Sequence, residues 1–186
     1  MAENFPVLRV MMESDDIERA LALLAAHIHR DFPHDPNLVL LGIKTRGIYL
    51  AQRLARHIAS AHNQQVMVGD IDITLYRDDL STLGPQPVVG RTTIDFDVTG
   101  KKIILIDDVI FTGRTIRAAL DEIVDFGRPL LIRLLALVDR CLREYPIQPD
   151  YTAQRVETDY TQVVQVRLAE CDGEDRVLLC RLPEAR

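Results

Sequence analysis

Residues 103–115 read IILIDDVIFTGRT, and they carry more structural information than any other segment of the chain. The four aliphatic residues at the start require burial on both faces, as in a central strand of a parallel sheet. Asp107 and Asp108 close this strand, and ligands of open α/β folds bind at the carboxyl ends of strands. Thr-Gly-Arg-Thr at 112–115 then opens a helix, whose free backbone amides favour an anion. The segment therefore predicts a sugar-phosphate site, with carboxylates for ribose hydroxyls and a loop for phosphate.

Each part of this pattern also has a purely structural interpretation. An Asp-Asp pair after a strand commonly caps a helix, and Thr-Gly is frequent in turns. The complete order of aliphatic run, acid pair and Thr-Gly-x-Thr is much harder to obtain by accident, which favours the binding interpretation. A Walker A loop is excluded, because the Gly-x-x-x-x-Gly-Lys spacing is missing.

The composition indicates one soluble globular domain over residues 1–186, with 47% hydrophobic and 27% charged residues. No apolar run approaches the ~20 residues that a membrane span needs, and the N-terminus lacks the layout of a secretory signal. Three cysteines without a Cys-x-x-Cys pair indicate reduced thiols, so we expect a cytoplasmic protein without membrane contact. The net charge of −6 argues against a general nucleic-acid binder.

Strands and helices alternate along the chain, which predicts an α/β fold with a central, mainly parallel sheet flanked by helices. Aliphatic runs and alternation predict strands at 38–43, 66–75, 103–106 and 130–139. Two shorter strands, near 163–168 and 176–182, predict a looped hairpin as a small C-terminal β element. The helix after residue 115 is expected to bury Ile116, Ala119, Leu120, Ile123 and Val124.

A second strand-to-helix turn carries anion-binding chemistry at Lys44, Thr45, Arg46 and Gly47. Together with residues 112–115, it fits a ligand that has phosphate at both ends. Gly47 would let the backbone approach closely, and Lys44 with Arg46 would neutralise negative charge. A basic turn that merely faces solvent is the alternative.

The motif at 103–115 resembles the phosphoribosyl pyrophosphate-binding motif of the type I phosphoribosyltransferase family. GIKTRGIYLA at 42–51, DIDITLYRDDL at 70–80 and TGRTIRA at 112–118 look like one subgroup of that family. Members of the subgroup are bifunctional regulators of the pyrimidine operon that are also uracil phosphoribosyltransferases. The resemblance covers roughly residues 14–170 and implies the type I phosphoribosyltransferase fold.

The resemblance implies a pentosyltransferase that forms UMP and pyrophosphate from uracil and phosphoribosyl pyrophosphate. Asp107 and Asp108 would be catalytic and would hold the ribose hydroxyls. A Mg²⁺ ion would be held mainly by substrate oxygens and water, without a dedicated protein cage. The residues expected to bind phosphoribosyl pyrophosphate are Lys44, Thr45, Arg46, Gly47, Asp107, Asp108, Val109, Thr112, Gly113, Arg114 and Thr115.

Two loops complete the implied site. Residues 76–98 resemble the mobile lid of the family, and Arg77 would be a third catalytic residue that stabilises the departing pyrophosphate. A solvated loop with a surface arginine is the alternative. The loop after residue 137 lies beside the base in this family, so Val138, Asp139 and Arg140 are candidates for base binding through backbone groups. A structural turn is equally compatible with this segment.

The regulatory half of the resemblance is less complete. Attenuating members bind the pyrimidine-operon leader RNA, and the resemblance implies a homo-oligomer, a dimer or a higher assembly. The family usually has Gly-His where this chain has Cys141-Leu142, and the first helix carries an apolar face. Both departures remove hydrogen-bonding capacity from an RNA surface. The apolar residues are Ala22, Leu23, Ala25 and Ala26, and the arginines that would compensate are Arg140, Arg143, Arg155 and Arg167.

Two alternatives to a uracil transferase therefore stand beside it. One is an RNA-binding transcriptional attenuator with weak or no catalysis. The other is a nucleotide sensor that acts through a protein partner. An intact acid pair is compatible with ligand binding in each of these functions, whereas only the attenuator requires a basic RNA surface.

Overall fold

A central parallel sheet and a smaller antiparallel sheet organise the protein in this computed structural model, which describes residues 5–76 and 92–183. The elements in chain order are β1 (Val7–Glu13), α1 (Ser14–Asp31), β2 (Leu38–Ile43), α2 (Arg46–His62), β3 (Met67–Ile71), a 3₁₀ helix (Ile73–Tyr76), β4 (Lys102–Ile110), α3 (Arg114–Phe126), β5 (Leu131–Asp139), β6 (Tyr151–Arg155), β7 (Gln162–Arg167), α4 (Ala169–Asp172) and β8 (Arg176–Arg181). The large sheet has the order β3-β2-β4-β5-β6 and the small one β1-β8-β7. The predicted fold class is confirmed.

Strand β4 is the centre of the large sheet because both of its faces are apolar. It pairs in parallel with β2 on one side and β5 on the other. Ile104 and Ile106 pack into the core layer beneath α1 and α2, whereas Ile103 and Leu105 pack into the layer beneath α3. All four side chains have no measurable exposure. Burial on both faces is the environment that the aliphatic run predicts.

Several boundaries differ from the sequence predictions. Strand β4 does not stop before the acid pair but continues to Ile110, because its ladder with β5 extends to Asp139. The strand predicted at 66–75 ends at Ile71, where the 3₁₀ helix begins. Strands β1 and β6 are additional: β1 forms an edge of the antiparallel sheet and β6 forms an edge of the parallel one.

Helix α3 is rotated slightly from the predicted orientation. Val124 was expected to face inward, but 61% of it is exposed. Glu122 is buried instead, and its Oε1 accepts a hydrogen bond of 2.5 Å from the Thr92 hydroxyl. The polar contact explains why a glutamate occupies a position on the buried side of this helix.

The segment expected to form a lid falls largely outside the described residues, namely at 77–91. After it, Thr93 forms an antiparallel bridge with Asp70, with N···O distances of 2.9 and 3.0 Å. Val98 is buried and joins the core layer beneath α3. Within the described ranges, no helix has both the length and the apolar character required to cross a membrane.

The core position of Ile104 gives a direct test of this packing. We expect Ile104→Ala to lower the free energy of unfolding by about 3 kcal/mol, because it removes buried methyl groups and leaves a cavity. Denaturant unfolding followed by circular dichroism measures the change. Leu130→Ala is the matched control, since Leu130 is 66% exposed and should lose less than about 0.5 kcal/mol. Equal losses in the two variants would contradict the packing described here.

Candidate active site

The segments that follow strands β2, β4 and β5 meet at the carboxyl-terminal ends of these parallel strands. The turn after β2 approaches β4 at the α2 residue Gly47, the acid pair lies within β4, and the loop after β5 hydrogen-bonds to the end of β4. The amide of Arg140 donates to the Ile110 carbonyl at 3.0 Å, and the amide of Glu144 donates to the Thr112 carbonyl at 2.9 Å. The fold thus brings together the three described segments that the sequence singled out.

The acid pair lies in a largely desolvated environment. Asp107 is 6% exposed and Asp108 is partly buried. Burial raises the pKa of Asp107 well above its ordinary value, and the neighbouring Asp108 charge raises it further. Burial also raises the pKa of Asp108, although Arg46 opposes that shift. A ligand that offers hydroxyl donors or positive charge would therefore stabilise the ionised pair, as ribose hydroxyls and a cation do.

The loop that the sequence predicts to bind an anion contains Gly113, which has φ +93° and directly precedes α3. A Cβ atom built there would lie 3.2 Å from Cβ of Tyr145, so both the backbone angle and the space favour glycine. Arg114 does not point its guanidinium into the loop, because Nε donates to Oε2 of Glu144 at 2.6 Å. A cavity of about 90 Å³ lies beside the loop, and it is lined by Asp107, Val109, Ile110, Phe111, Thr112, Gly113, Thr115 and Ile116.

Both cations of the turn after β2 already have carboxylate partners. Lys44 Nζ lies 2.6 Å from Oδ2 of Asp70. Arg46 donates from Nε and Nη2 to the two carboxylate oxygens of Asp172, at 3.0 and 2.8 Å. Burial alone would raise the pKa of Asp172, but the hydrogen bonds from Arg46 and from the Leu168 amide outweigh it and lower this pKa to about 2. The turn is therefore held by acidic residues from β3 and α4.

Glycine at position 47 has a structural reason in addition to the predicted close approach to a ligand, which stays a prediction. A Cβ atom on Gly47 would come within 2.3 Å of the Ile106 carbonyl oxygen. The missing side chain lets the first turn of α2 pack against β4, whereas the sequence suggested close approach to a ligand. Thr45 lies between the two basic residues, and its peptide bond with Lys44 is cis.

The three candidate base-binding residues have buried side chains. Val138, Asp139 and Arg140 are 0%, 1% and 5% exposed. The Arg140 guanidinium lies 3.8 Å from the centroid of the Phe111 ring. It also donates to the Thr158 hydroxyl at 3.0 Å and to the carbonyls of Asp159 and Gln162 at 3.1 and 2.7 Å. These side chains shape the loop from inside, so base contact through backbone groups stays the prediction.

Arg143 ties the same loop to the end of β4. Its guanidinium donates to Oδ1 of Asp139 at 2.7 Å and to the carbonyls of Phe111 and Ile147 at 2.8 and 2.7 Å. Arg140 and Arg143 were candidates for an RNA surface on sequence grounds. Because both guanidinium groups are committed to internal acceptors, they belong to the scaffold of the site.

Sequence reasoning missed the acidic partners of the turn, namely Asp70 and Asp172. Asp172 precedes Gly173 in the connection between the two short C-terminal strands, and its partner Arg46 lies 126 residues away in the chain. No local pattern encodes such a contact. Arg77, the third candidate catalytic residue, lies outside the described residues.

The chain is similar to proteins of known family over most of its length. The model for the phosphoribosyl transferase domain matches residues 13–170. Bifunctional protein PyrR of Pelotomaculum thermopropionicum is 50% identical over 174 residues, covering 94% of this chain and 96% of that protein. Bifunctional protein PyrR of Thermus thermophilus is 50% identical over 169 residues, covering 91% and 93%.

Solved structures agree on the fold. The hypoxanthine phosphoribosyltransferase of Trypanosoma cruzi superposes with a TM-score of 0.71 at 16% identity, covering 95% of this chain and 98% of that one. A hypoxanthine-guanine phosphoribosyltransferase of Bacillus anthracis gives a TM-score of 0.69 at 18% identity, covering 95% and 99%. At these identities the likeness concerns the fold alone.

The backbone at Cys141 gives a testable prediction about the loop after β5. Cys141 has φ +58°, in the left-handed region that favours glycine. We expect Cys141→Gly to raise the free energy of unfolding by about 0.5–1 kcal/mol, because the strain at this position exceeds the entropic cost of glycine. Thermal or denaturant unfolding measures the difference.

Cys171→Gly provides the matched control for this substitution. Cys171 lies in α4 without a positive φ, and its thiol donates to Oδ2 of Asp172, so the same replacement should destabilise the protein by about 1–2 kcal/mol. Destabilisation by Cys141→Gly as large as that of the control would show that the thiol contributes more than the backbone strain costs.

Proposed function

The chain belongs to the PyrR family of phosphoribosyl transferase domain proteins, and we propose on this basis that it transfers the phosphoribosyl group of phosphoribosyl pyrophosphate to uracil, with release of pyrophosphate, and regulates pyrimidine biosynthesis genes. The protein is a phosphoribosyltransferase by family and by fold. The observation that carries the uracil assignment is half identity to PyrR proteins across nearly the whole chain, together with an intact acid pair and anion loop.

In the proposed site, the two ends of the substrate lie on two different turns. The ribose hydroxyls donate to Asp107 and Asp108, and the 5-phosphate accepts from backbone amides of residues 112–115 at the start of α3. The pyrophosphate lies against the turn at 44–47. The cavity beside the anion loop and the desolvated acid pair support this arrangement.

The transfer step is a substitution at the anomeric carbon. N1 of uracil forms the new glycosidic bond while the bond to the pyrophosphate oxygen breaks and the leaving group takes the electron pair. The N1 proton passes to solvent, and pyrophosphate and UMP are released. The described residues contribute chiefly by positioning the two reactants and by stabilising charge, which together supply most of the rate enhancement in this kind of chemistry.

Mg²⁺ fits the donor set at this edge of the sheet. Carboxylate oxygens are the hard donors that this ion prefers, and the acid pair is desolvated enough to gain from positive charge. The described residues contain no group of three His, Cys, Asp or Glu side chains placed to hold a metal. We therefore propose that substrate oxygens and water would supply most of the coordination, and that bound Mg²⁺ would offset negative charge on the pyrophosphate.

Regulation through pyrimidine-operon leader RNA is the second proposed activity, and the name of the relatives supports it because they are called bifunctional. Two of the four arginines considered for an RNA surface are internal. Arg167 pairs with Glu174 at 2.6 Å, while the Arg155 side chain is 64% exposed.

We also propose a homo-oligomer, supported by exposed apolar side chains such as Leu23 on α1 and Val7 on β1.

The transferase assignment predicts UMP synthesis that depends on the acid pair. We expect labelled uracil, phosphoribosyl pyrophosphate and Mg²⁺ to yield UMP with the natural chain. Asp107→Asn/Asp108→Asn should reduce kcat/KM by about a hundredfold or more, because two charge-assisted contacts to ribose are lost. Asp15→Asn, an exposed carboxylate in the first turn of α1, is the control outside the proposed substrate contacts. Absence of UMP formation by the natural chain would overturn the transferase assignment.

The RNA proposal predicts selective binding of a pyrimidine leader transcript. Fluorescence anisotropy should show tighter binding to the leader than to a scrambled RNA of equal length. The affinity for the leader should fall with rising salt, because phosphate contacts release counterions. Equal affinity for both RNAs would contradict leader recognition and favour regulation through a protein partner.

A further inference from the structure

Asp172 fixes the orientation of Arg46 through two parallel hydrogen bonds. Nε of Arg46 donates to Oδ2 at 3.0 Å, and Nη2 donates to Oδ1 at 2.8 Å. The side chains are 31% exposed for Arg46 and 11% exposed for Asp172. A planar guanidinium held by a carboxylate at two points has a fixed plane, which a single contact would not provide.

The carboxylate of Asp172 is itself held rigidly. Oδ2 accepts from the Leu168 amide at 3.0 Å and from the Cys171 thiol at 3.1 Å. Burial raises the pKa of the Cys171 thiol to about 11, so this thiol stays protonated and can donate. Through these hydrogen bonds, Asp172 links the segment around α4 to the first turn of α2.

A second arginine of α2 anchors the same segment. Arg53 lies two helical turns after Arg46, on the same face of α2. It forms paired hydrogen bonds with Glu170 at 2.9 and 2.5 Å and with Asp175 at 2.9 and 2.8 Å. The Asp175 carboxylate also accepts from the Ala169 amide at 2.8 Å. The connection between β7 and β8 is thus a fixed support for the N-terminal half of α2.

Arg46 stands between this support and the acid pair. Burial lowers the pKa of Arg46, but the hydrogen bonds to Asp172 and the charges of Asp108 and Asp172 outweigh it and raise the pKa. A cavity of about 170 Å³ opens between α2, β4 and β7. It is lined by Arg46, Asp108, Val164, Gln165, Val166 and Arg167.

The arginine retains donors for a ligand while it is held. A guanidinium has five N–H donors, and Asp172 takes one from Nε and one from Nη2. In the described part of the chain, the hydrogen bonds of Arg46 come from these two atoms. The Nη1 edge therefore lies opposite the carboxylate and suits an anion in the cavity.

We propose that Asp172 is a positioning residue that orients Arg46 toward the pyrophosphate group of phosphoribosyl pyrophosphate. This inference rests on the proposed transferase function and deepens it, because it makes the connection between β7 and β8 part of the pyrophosphate side of the site. Since UMP carries no pyrophosphate, the effect of Asp172 is confined to ligands that do.

The test is a comparison of two ligands on Asp172→Asn. Titration calorimetry with Mg²⁺ measures binding of phosphoribosyl pyrophosphate and of UMP to the full-length protein. We expect the Kd for phosphoribosyl pyrophosphate to rise about tenfold and the Kd for UMP to change less than about twofold. Asp121→Asn, which removes a surface carboxylate paired with Arg117 on α3, is the control and should leave both constants unchanged.

A double-mutant cycle separates positioning of Arg46 from general support. In an Arg46→Lys background, Asp172→Asn should add little further loss of phosphoribosyl pyrophosphate affinity, since lysine cannot use the paired geometry. Melting temperatures of all variants identify any that fail to fold, and Asp172→Glu then serves as a second probe that keeps the charge but shifts the carboxylate.

Three outcomes would overturn the inference. Equal weakening of UMP and phosphoribosyl pyrophosphate would make Asp172 a support of the whole site. Unchanged affinity for phosphoribosyl pyrophosphate would show that Asp172 does not orient Arg46. Tighter binding of phosphoribosyl pyrophosphate would mean that Asp172 competes with the ligand for Arg46. Failure of the natural chain to bind phosphoribosyl pyrophosphate would instead overturn the proposed function itself.

Discussion

The burial of two adjacent carboxylates in the central strand is the constraint on which the rest of the structure depends. Strand β4 is enclosed on both faces, so its backbone enters the site at a fixed position. Asp107 and Asp108 lie near its end, where desolvation raises the pKa of both. Such a pair is costly without a ligand that donates hydrogen bonds or carries positive charge. The surrounding loops supply that setting. The proposed anion loop at 112–115 lies on one side, and the loop after β5 and the connection between β7 and β8, both held by arginines, lie on the others.

The arginines near the site divide into two groups by what they contact. Arg140 and Arg143 donate mainly to backbone carbonyls and hold the loop after β5 against the end of β4. Arg46 and Arg53 donate to carboxylates and join α2 to the connection between β7 and β8. The first group shapes the loop after β5, where base contact is proposed, and the second sets the position of the turn at 44–47. These four arginines are therefore held by acceptors within the protein, among the described residues, and do not form a broad basic surface for RNA.

The centre of the fold was predictable from sequence, whereas its edges and its long-range contacts were not. Strands β2, β4 and β5 are buried on both faces, and continuous aliphatic runs encode that environment. Strand β1 is mostly exposed and β6 is only partly buried, so neither carries such a run. The inward position of Glu122 depends on a hydroxyl from Thr92, a contact between distant segments. The acid pair and both turns were recognisable as local motifs, but Asp172 was not, because its role comes from the folded arrangement alone.

The placement of the substrate across the two turns can be tested with a single structure. A crystal structure with phosphoribosyl pyrophosphate and Mg²⁺ should place the ribose hydroxyls at Asp107 and Asp108. The 5-phosphate should lie on the amides of residues 112–115 and the pyrophosphate on the turn at 44–47. Density for the ligand with the ribose away from the acid pair, or with the two phosphate ends exchanged between the turns, would contradict the proposed site.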